Sequence, residues 1–171
     1  ISNPDLTYGW SKLTGEMLAQ YARKAGIKVH VFRPFSGFGE YQDLSYPIPS
    51  FIERVVNKED PFEIWGDGNQ VRDFIYIKDI VDSVMKAVEL DIEGPINLCT
   101  GTPVSFNEIA STIFKVAGWT PKGGIKHLTD KPVGVMYRCG DDTKLKEFYD
   151  IKYSLEDAIA IMLEVRNAEK T

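Results

Sequence analysis

The 171-residue sequence predicts an α/β fold built on a largely parallel sheet. Three observations predict it. Helix-period apolar segments alternate along the chain with short β-branched runs. The run "IKVHVFRPF" follows a helix and its glycine stop directly, which makes an αβ unit. A second short apolar run, "GPINLCTG", follows another helix. These two runs, around residues 29–32 and 96–98, are the only convincing core strands. Two strands make a poor parallel sheet, because both faces and both edges need cover. The sheet is therefore expected to continue in an upstream part of the same chain or in another subunit.

The elements follow in order. Residues 8–24 read as a helix, with Trp10, Leu13, Met17, Leu18 and Tyr21 at spacings of three and four, and Ala25-Gly26 ends it. The apolar strand comes next, then "SGFGEYQDLSYPIP" as a loop rich in Gly, Ser and Pro. "SFIERVVNK" is a helix with Ser50 as its N-cap. "PFEIWG" and "VRDFIYI" read as strands of a hairpin around the turn "GDGN". "KDIVDSVMKAVEL" is a helix with Ile80, Val84, Ala87 and Val88 on one face. After the second core strand, "SFNEIASTIFKVAGW" opens with Ser105 and carries Glu108 three residues on, as in a capping box. "GGIKHL" is a short strand and "DDTKLKEFY" a short helix. "SLEDAIAIMLEVRNAEK" closes the chain as a helix capped by Ser154, with Asp157 suited to the dipole in its first turn.

Composition narrows the class. Hydrophobic residues make up 43% and charged residues 26%, as in ordinary globular domains. A net charge of -5 argues against a nucleic-acid partner, which requires a basic patch. No apolar run approaches the length of a membrane span. The start, "ISNPDLTYG", has neither the basic nor the apolar region of a signal peptide, and it lacks an initiator Met, as a processed or trimmed product does. Cys99 and Cys139 form no CxxC pattern and read as reduced core residues of a cytoplasmic protein. His30 and His127 have no His or Cys at ligand spacing, so no metal site is expected.

Chemistry concentrates at the head of the first helix. Tyr8 and Lys12 stand one turn apart, and residues at i and i+4 share a face. They are either two amphipathic side chains on a solvated face or a proton-transfer pair. A tyrosine gives up its proton near pH 10. A cation within about 4–6 Å favours the phenolate and brings that value down by about one to three units.

The wider pattern decides for the second reading. "YGWSK" resembles the Tyr-x-x-x-Lys motif of the short-chain dehydrogenase/reductase superfamily, in its extended branch. "RPFSGFGEYQ" is similar to the strand-to-loop segment of nucleotide-sugar epimerases and dehydratases in that branch. "IWGDGNQVRDFIYIKDIVDS", "INLCTGTPVSFNEIA" and "YRCGDDTKLKEFYDIKYSLEDAI" resemble its later segments, in the right order. The resemblance implies a role for each matching residue. Tyr8 would be the acid/base. Lys12 would lower its pKa and bind the ribose of NAD or NADP. Pro34 and Phe35 would pass the nicotinamide. Ser36 stands where the family has an Asn that contacts substrate. Arg72 would meet the substrate diphosphate, and Arg138 the diphosphate or ribose. A purely structural alternative pairs Arg72 with Asp73 or Asp67, and Arg138 with Asp141.

The sequence also departs from the family. Phe38 replaces a usual Tyr, and Glu40 a usual Pro, which adds a negative charge near an expected diphosphate. The Gly-x-x-Gly-x-x-Gly turn that cradles a dinucleotide pyrophosphate does not occur in these residues, nor does a Ser or Thr some two dozen residues before Tyr8. The chain thus resembles the C-terminal half of an extended member. That half is the end of a Rossmann-like parallel sheet with a small substrate-binding α/β lobe. Residues 1–35 and 80–118 would belong to the Rossmann side, and 36–79 and 119–171 to the lobe and closing helices. The implied activity is NAD(P)-dependent epimerisation or dehydration of a nucleotide-diphosphate sugar, absent from the isolated 171 residues. The alternative is a truncated, non-catalytic sugar-nucleotide-binding or assembly module. A homodimer through the Tyr8 helix is implied in the first case, and self-association in either.

Overall fold

The computed structural model describes residues 6–170. The elements run α1 (Leu6–Lys24), β1 (Val31–Pro34), β2 (Ser36–Phe38), α2 (Pro47–Val56), β3 (Phe62–Trp65), β4 (Val71–Tyr76), α3 (Ile77–Glu89), β5 (Pro95–Leu98), β6 (Pro103–Ser105), α4 (Phe106–Ala117), β7 (Ile125–Leu128), α5 (Thr143–Lys146) and α6 (Leu155–Ala168). The expected α/β class with parallel strand pairing is what the chain forms. β1 lies parallel to β5, with Val31 opposite Pro95 and Pro34 opposite Leu98. β4 is flanked by β2, parallel, and by β6, antiparallel. β3 pairs with β7, parallel.

Two apolar cores hold these sheets. The larger packs Ile48, Phe51 and Ile52 of α2, Ile109 and Ile113 of α4, and Ile159 and Met162 of α6 over β2, β3 and β4. Phe62 is its hub, edge-on to Phe51 at 5.1 Å and to Phe114 at 5.0 Å between ring centroids. Such edge-to-face contacts add roughly 0.5–1.5 kcal/mol each beyond area burial. The smaller core joins Ile75, Ala87, Ile96, Leu98, Leu145 and Tyr149. Among the described residues, neither cluster contains one from α1. That helix is fastened to β1 by the Glu16–Arg33 ion pair, while the Arg23 guanidinium donates to the Val29 carbonyl just before β1. Trp10, Leu18 and Tyr21 stay 58%, 64% and 66% exposed.

Where the cues are local, the sequence reading matches. Ser105 and Ser154 each form a full capping box, with Glu108 and Asp157 respectively. Gly26 turns α1 off, its N–H donating to the Arg23 carbonyl. Four expectations need correction. The "GDGN" turn exists, with Gly66 and Gly68 at φ of 74° and 75°, but its flanking strands make no hairpin. β3 leaves for β7, and β4 is already taken on both edges by β2 and β6. The loop after β1 contains β2, whose Ser36 to Phe38 follow Phe74 to Tyr76 in register. Helix α2 begins at Pro47 rather than after Ser50, because proline suits the first helical position and Tyr46 enters it extended. Finally, Ile80, Val84 and Ala87 of the expected α3 face join the smaller core, but Val88 is exposed, and Asp79 and Ser83 are buried as well. Asp79 is tolerated inside because it accepts from the Tyr149 hydroxyl and from the Lys152 and Tyr153 N–H groups.

Candidate active site

The fold brings the end of β1, the start of α1 and the head of β4 around one open cleft of about 740 Å³. Pro34 closes β1, and ligands of α/β sheets sit beyond the carboxyl ends of parallel strands. Tyr8, Pro34, Phe35, Ser36, Arg72 and Arg138 all line this cleft. Lys12 does not line it. Its ammonium lies over the Tyr8 ring, 5.3 Å from the centroid. Tyr8 is 71% exposed, so its hydroxyl is open to a ligand. The pair sits in regular helix, where Ser11 and Thr14 donate back to the Tyr8 and Trp10 carbonyls.

The two arginines come from neighbouring segments. Arg72 is on β4. Residues 136–138 run alongside it, with the Val71 N–H donating to the Met136 carbonyl and the Arg138 N–H to the Val71 carbonyl. Arg72 donates from Nη1 to the Val71 carbonyl at 2.7 Å. Burial, and then the like charge of Arg138, push the Arg72 guanidinium below its usual pKa. Among the described residues neither arginine has a carboxylate partner. The three acids proposed for that role are engaged elsewhere. Asp67 accepts from Asn69, Asp141 from Thr143, and Asp73 from the 100–101 and 139–140 segments. Two cations held together in a cleft with no counter-ion among the described residues form a place for a dianion, and the guanidinium fork matches phosphate oxygens.

Glu40 has partners of its own outside the cleft wall. Its carboxylate accepts from the Tyr76 hydroxyl at 2.5 Å and lies 3.8 Å from the Lys78 ammonium. It is absent from the cleft wall. Phe38, the other departure, is a core residue 4% exposed, with its ring 6.2 Å from that of Phe74.

The wall also contains residues not singled out from the sequence, among them Gln42, Tyr46, Phe106 and Val133. Gln42 was in view, because it ends the quoted segment "RPFSGFGEYQ"; its amide donates to the Gly37 carbonyl at 3.0 Å. Phe106 also lies in a quoted segment, "INLCTGTPVSFNEIA", whereas Val133 carries no local signal and joins the wall only through the tertiary fold.

The model of the NAD dependent epimerase/dehydratase family matches residues 2–99. The chain belongs to this family. Epimerase/dehydratase relatives in sequence include GDP-mannose 3,5-epimerase 1 of Oryza sativa, 32% identical over 151 residues, which cover 85% of this chain and 39% of the relative. UDP-glucuronic acid decarboxylase 1 of Arabidopsis thaliana is 31% identical over 163 residues, covering 91% of this chain and 36% of the relative. Among solved structures of epimerase/dehydratase type, the UDP-glucose 4-epimerase of Thermotoga maritima with UDP-glucose superposes with a TM-score of 0.86 at 28% identity, covering all of this chain (100%) and 56% of that one. The dTDP-glucose 4,6-dehydratase of Bacillus anthracis in complex with NAD shares the fold, with a TM-score of 0.86 at 20% identity, over 99% of this chain and 55% of that one. The chain thus spans about two fifths of the length of the curated relatives and just over half of the structural ones.

Proposed function

We propose that this chain supplies the substrate-side part of an NAD(P)-dependent epimerase or dehydratase acting on a nucleotide-diphosphate sugar. The observation that carries the reading is the pair Arg72 and Arg138, without acidic partners among the described residues, in the same cleft as Tyr8. The guanidiniums would grip the diphosphate and so fix the sugar toward α1. Tyr8 would take a proton from a sugar hydroxyl at its Oη. Lys12, beside that ring, would stabilise the phenolate and reach the cofactor ribose. Ser36 offers a hydroxyl to the substrate, and Pro34 and Phe35 an apolar wall to the nicotinamide. These residue types fit a nicotinamide riboside: a hydroxyl and an ammonium on one side, an apolar face on the other. When bound, the nicotinamide would accept hydride from a sugar ring carbon and return it.

In this reading the β1–β5 pair belongs to the cofactor side, and the larger core to the substrate lobe. Helix α4, grouped with residues 80–118 on the Rossmann side, packs with α2 and α6 in that larger core, which supports moving it to the lobe. A homodimer is part of the proposal, supported by the apolar side chains that α1 leaves exposed. Sedimentation at several concentrations tests it, and a monomer throughout would count against it. Cytoplasmic residence is supported by the two free thiols, Cys99 and Cys139.

Titration of UDP-glucose and GDP-mannose into the protein and its Arg72→Ala variant tests the main claim. Binding that the variant weakens is expected. No binding of either compound, or equal binding by both proteins, would refute it.

A further inference from the structure

Asp73 follows Arg72 on β4 and is wholly buried, at 0% exposure. Its Oδ1 accepts from the Thr100 N–H and from the Thr100 hydroxyl, both at 2.8 Å. Its Oδ2 accepts from the Gly101 N–H at 3.0 Å, the Gly140 N–H at 3.1 Å and the Cys139 thiol at 3.5 Å. Five donors from two distant segments converge on one side chain. Only an acceptor without hydrogens suits all five, which is an ionised carboxylate. Burial, and then the Asp73 charge, push the Cys139 thiol up, which keeps its hydrogen for this bond.

The geometry bears on Arg138. That residue is tied on its amide side to the Val71 carbonyl, and the next two residues are tied to Asp73. Val71 and Asp73 flank Arg72. The segment has little slack, because a Cβ on Gly140 would lie 2.5 Å from Cys99 Sγ and 2.9 Å from Cζ of Phe35, itself a wall of the cleft. Resting on the diphosphate reading above, we infer that Asp73 is a positioning residue: it sets the spacing of Arg72 and Arg138, so that the pair recognises two adjacent phosphates rather than one.

Calorimetric titration of UDP and UMP into the protein, Asp73→Asn, Arg138→Ala and the double variant tests this. The unmodified protein is expected to bind UDP much more tightly than UMP. Asp73→Asn should weaken UDP about tenfold, the scale of one charge-assisted hydrogen bond, with UMP little changed. In the Arg138→Ala background the same change should cost nothing further, since coupled residues are non-additive. A merely structural Asp73 would lower UDP and UMP binding alike and add its cost in the double variant, and either result overturns the inference alone. Absence of UDP binding by the unmodified protein overturns the proposed function and this inference with it. Should Asp73→Asn fail to fold, Thr100→Val and Cys139→Ala each remove one donor of the five and must reproduce the loss of preference for UDP over UMP; unchanged preference in both refutes the positioning role.

Discussion

Glu16 and Arg33 join α1 to β1 through two parallel hydrogen bonds, 2.6 Å from Nε and 2.5 Å from Nη2. The guanidinium holds the Glu16 carboxyl below its usual range. The pair is partly exposed and two-pronged, a geometry at the upper end of the modest contribution of surface ion pairs. Glu16→Ala is expected to loosen α1 and raise trypsin cleavage after the exposed Lys24 by about two- to fivefold, the equivalent of roughly 0.5–1 kcal/mol. Unchanged cleavage kinetics would show that α1 is held by something else.

Tyr8→Phe in the catalytically complete protein should lower kcat by about 10²–10⁴, the usual contribution of a positioned acid/base. The melting temperature should hardly change, because the hydroxyl is exposed and surface substitutions stay within about 0.5 kcal/mol. Near-normal turnover would remove Tyr8 from the chemistry.

Arg72→Ala and Arg138→Ala should each weaken nucleotide-diphosphate binding by about ten- to a hundredfold, from the loss of charge-assisted hydrogen bonds. In the free protein the same changes relieve like-charge repulsion. Thermal unfolding without ligand should therefore be unchanged or slightly later for Arg138→Ala. A large drop in melting temperature would mean that the pair serves the fold.

Glu53 on α2 binds Arg166 of α6 at 2.5 Å, and the Lys170 ammonium at 2.9 Å. These contacts, the Arg166 hydrogen bond first, hold its carboxyl down at about 2. A carboxyl freed by unfolding titrates near 4.3. The folded state thus binds the proton less readily, so the stabilisation is complete above about pH 4.3 and is lost as the pH falls toward 2. Urea unfolding midpoints of the unmodified protein and Glu53→Gln should differ at pH 7 and converge near pH 2. A gap that persists in acid would rule this linkage out.

Much of the fold was legible because its cues are local. Ser105 with Glu108, and Ser154 with Asp157, declare helix starts within four residues. The strands at Val31 and Ile96 declare themselves by apolar runs. The missed features depend on remote partners. β2 is three residues long and is a strand only because β4 offers it an edge. The "GDGN" hairpin failed because β7 and β6, far along the chain, claim the strands on either side. At the site, Tyr8, Lys12, Arg72 and Arg138 stood out by motif. That Asp67, Asp73 and Asp141 leave the arginines unpaired was not legible, since it depends on where those three side chains turn. The partners of Asp73 lie at residues 100–101 and 139–140, and no pattern around "VRDF" announces them.

Because the described side chains of α1 add nothing to either apolar cluster, its backbone should trade hydrogen for deuterium early, while α2, α4 and α6 hold theirs until the whole lobe opens. The helix that presents Tyr8 is then the most readily released part of the described chain, and anything seated over that phenol would be read as slower isotope uptake there before any change in the interior.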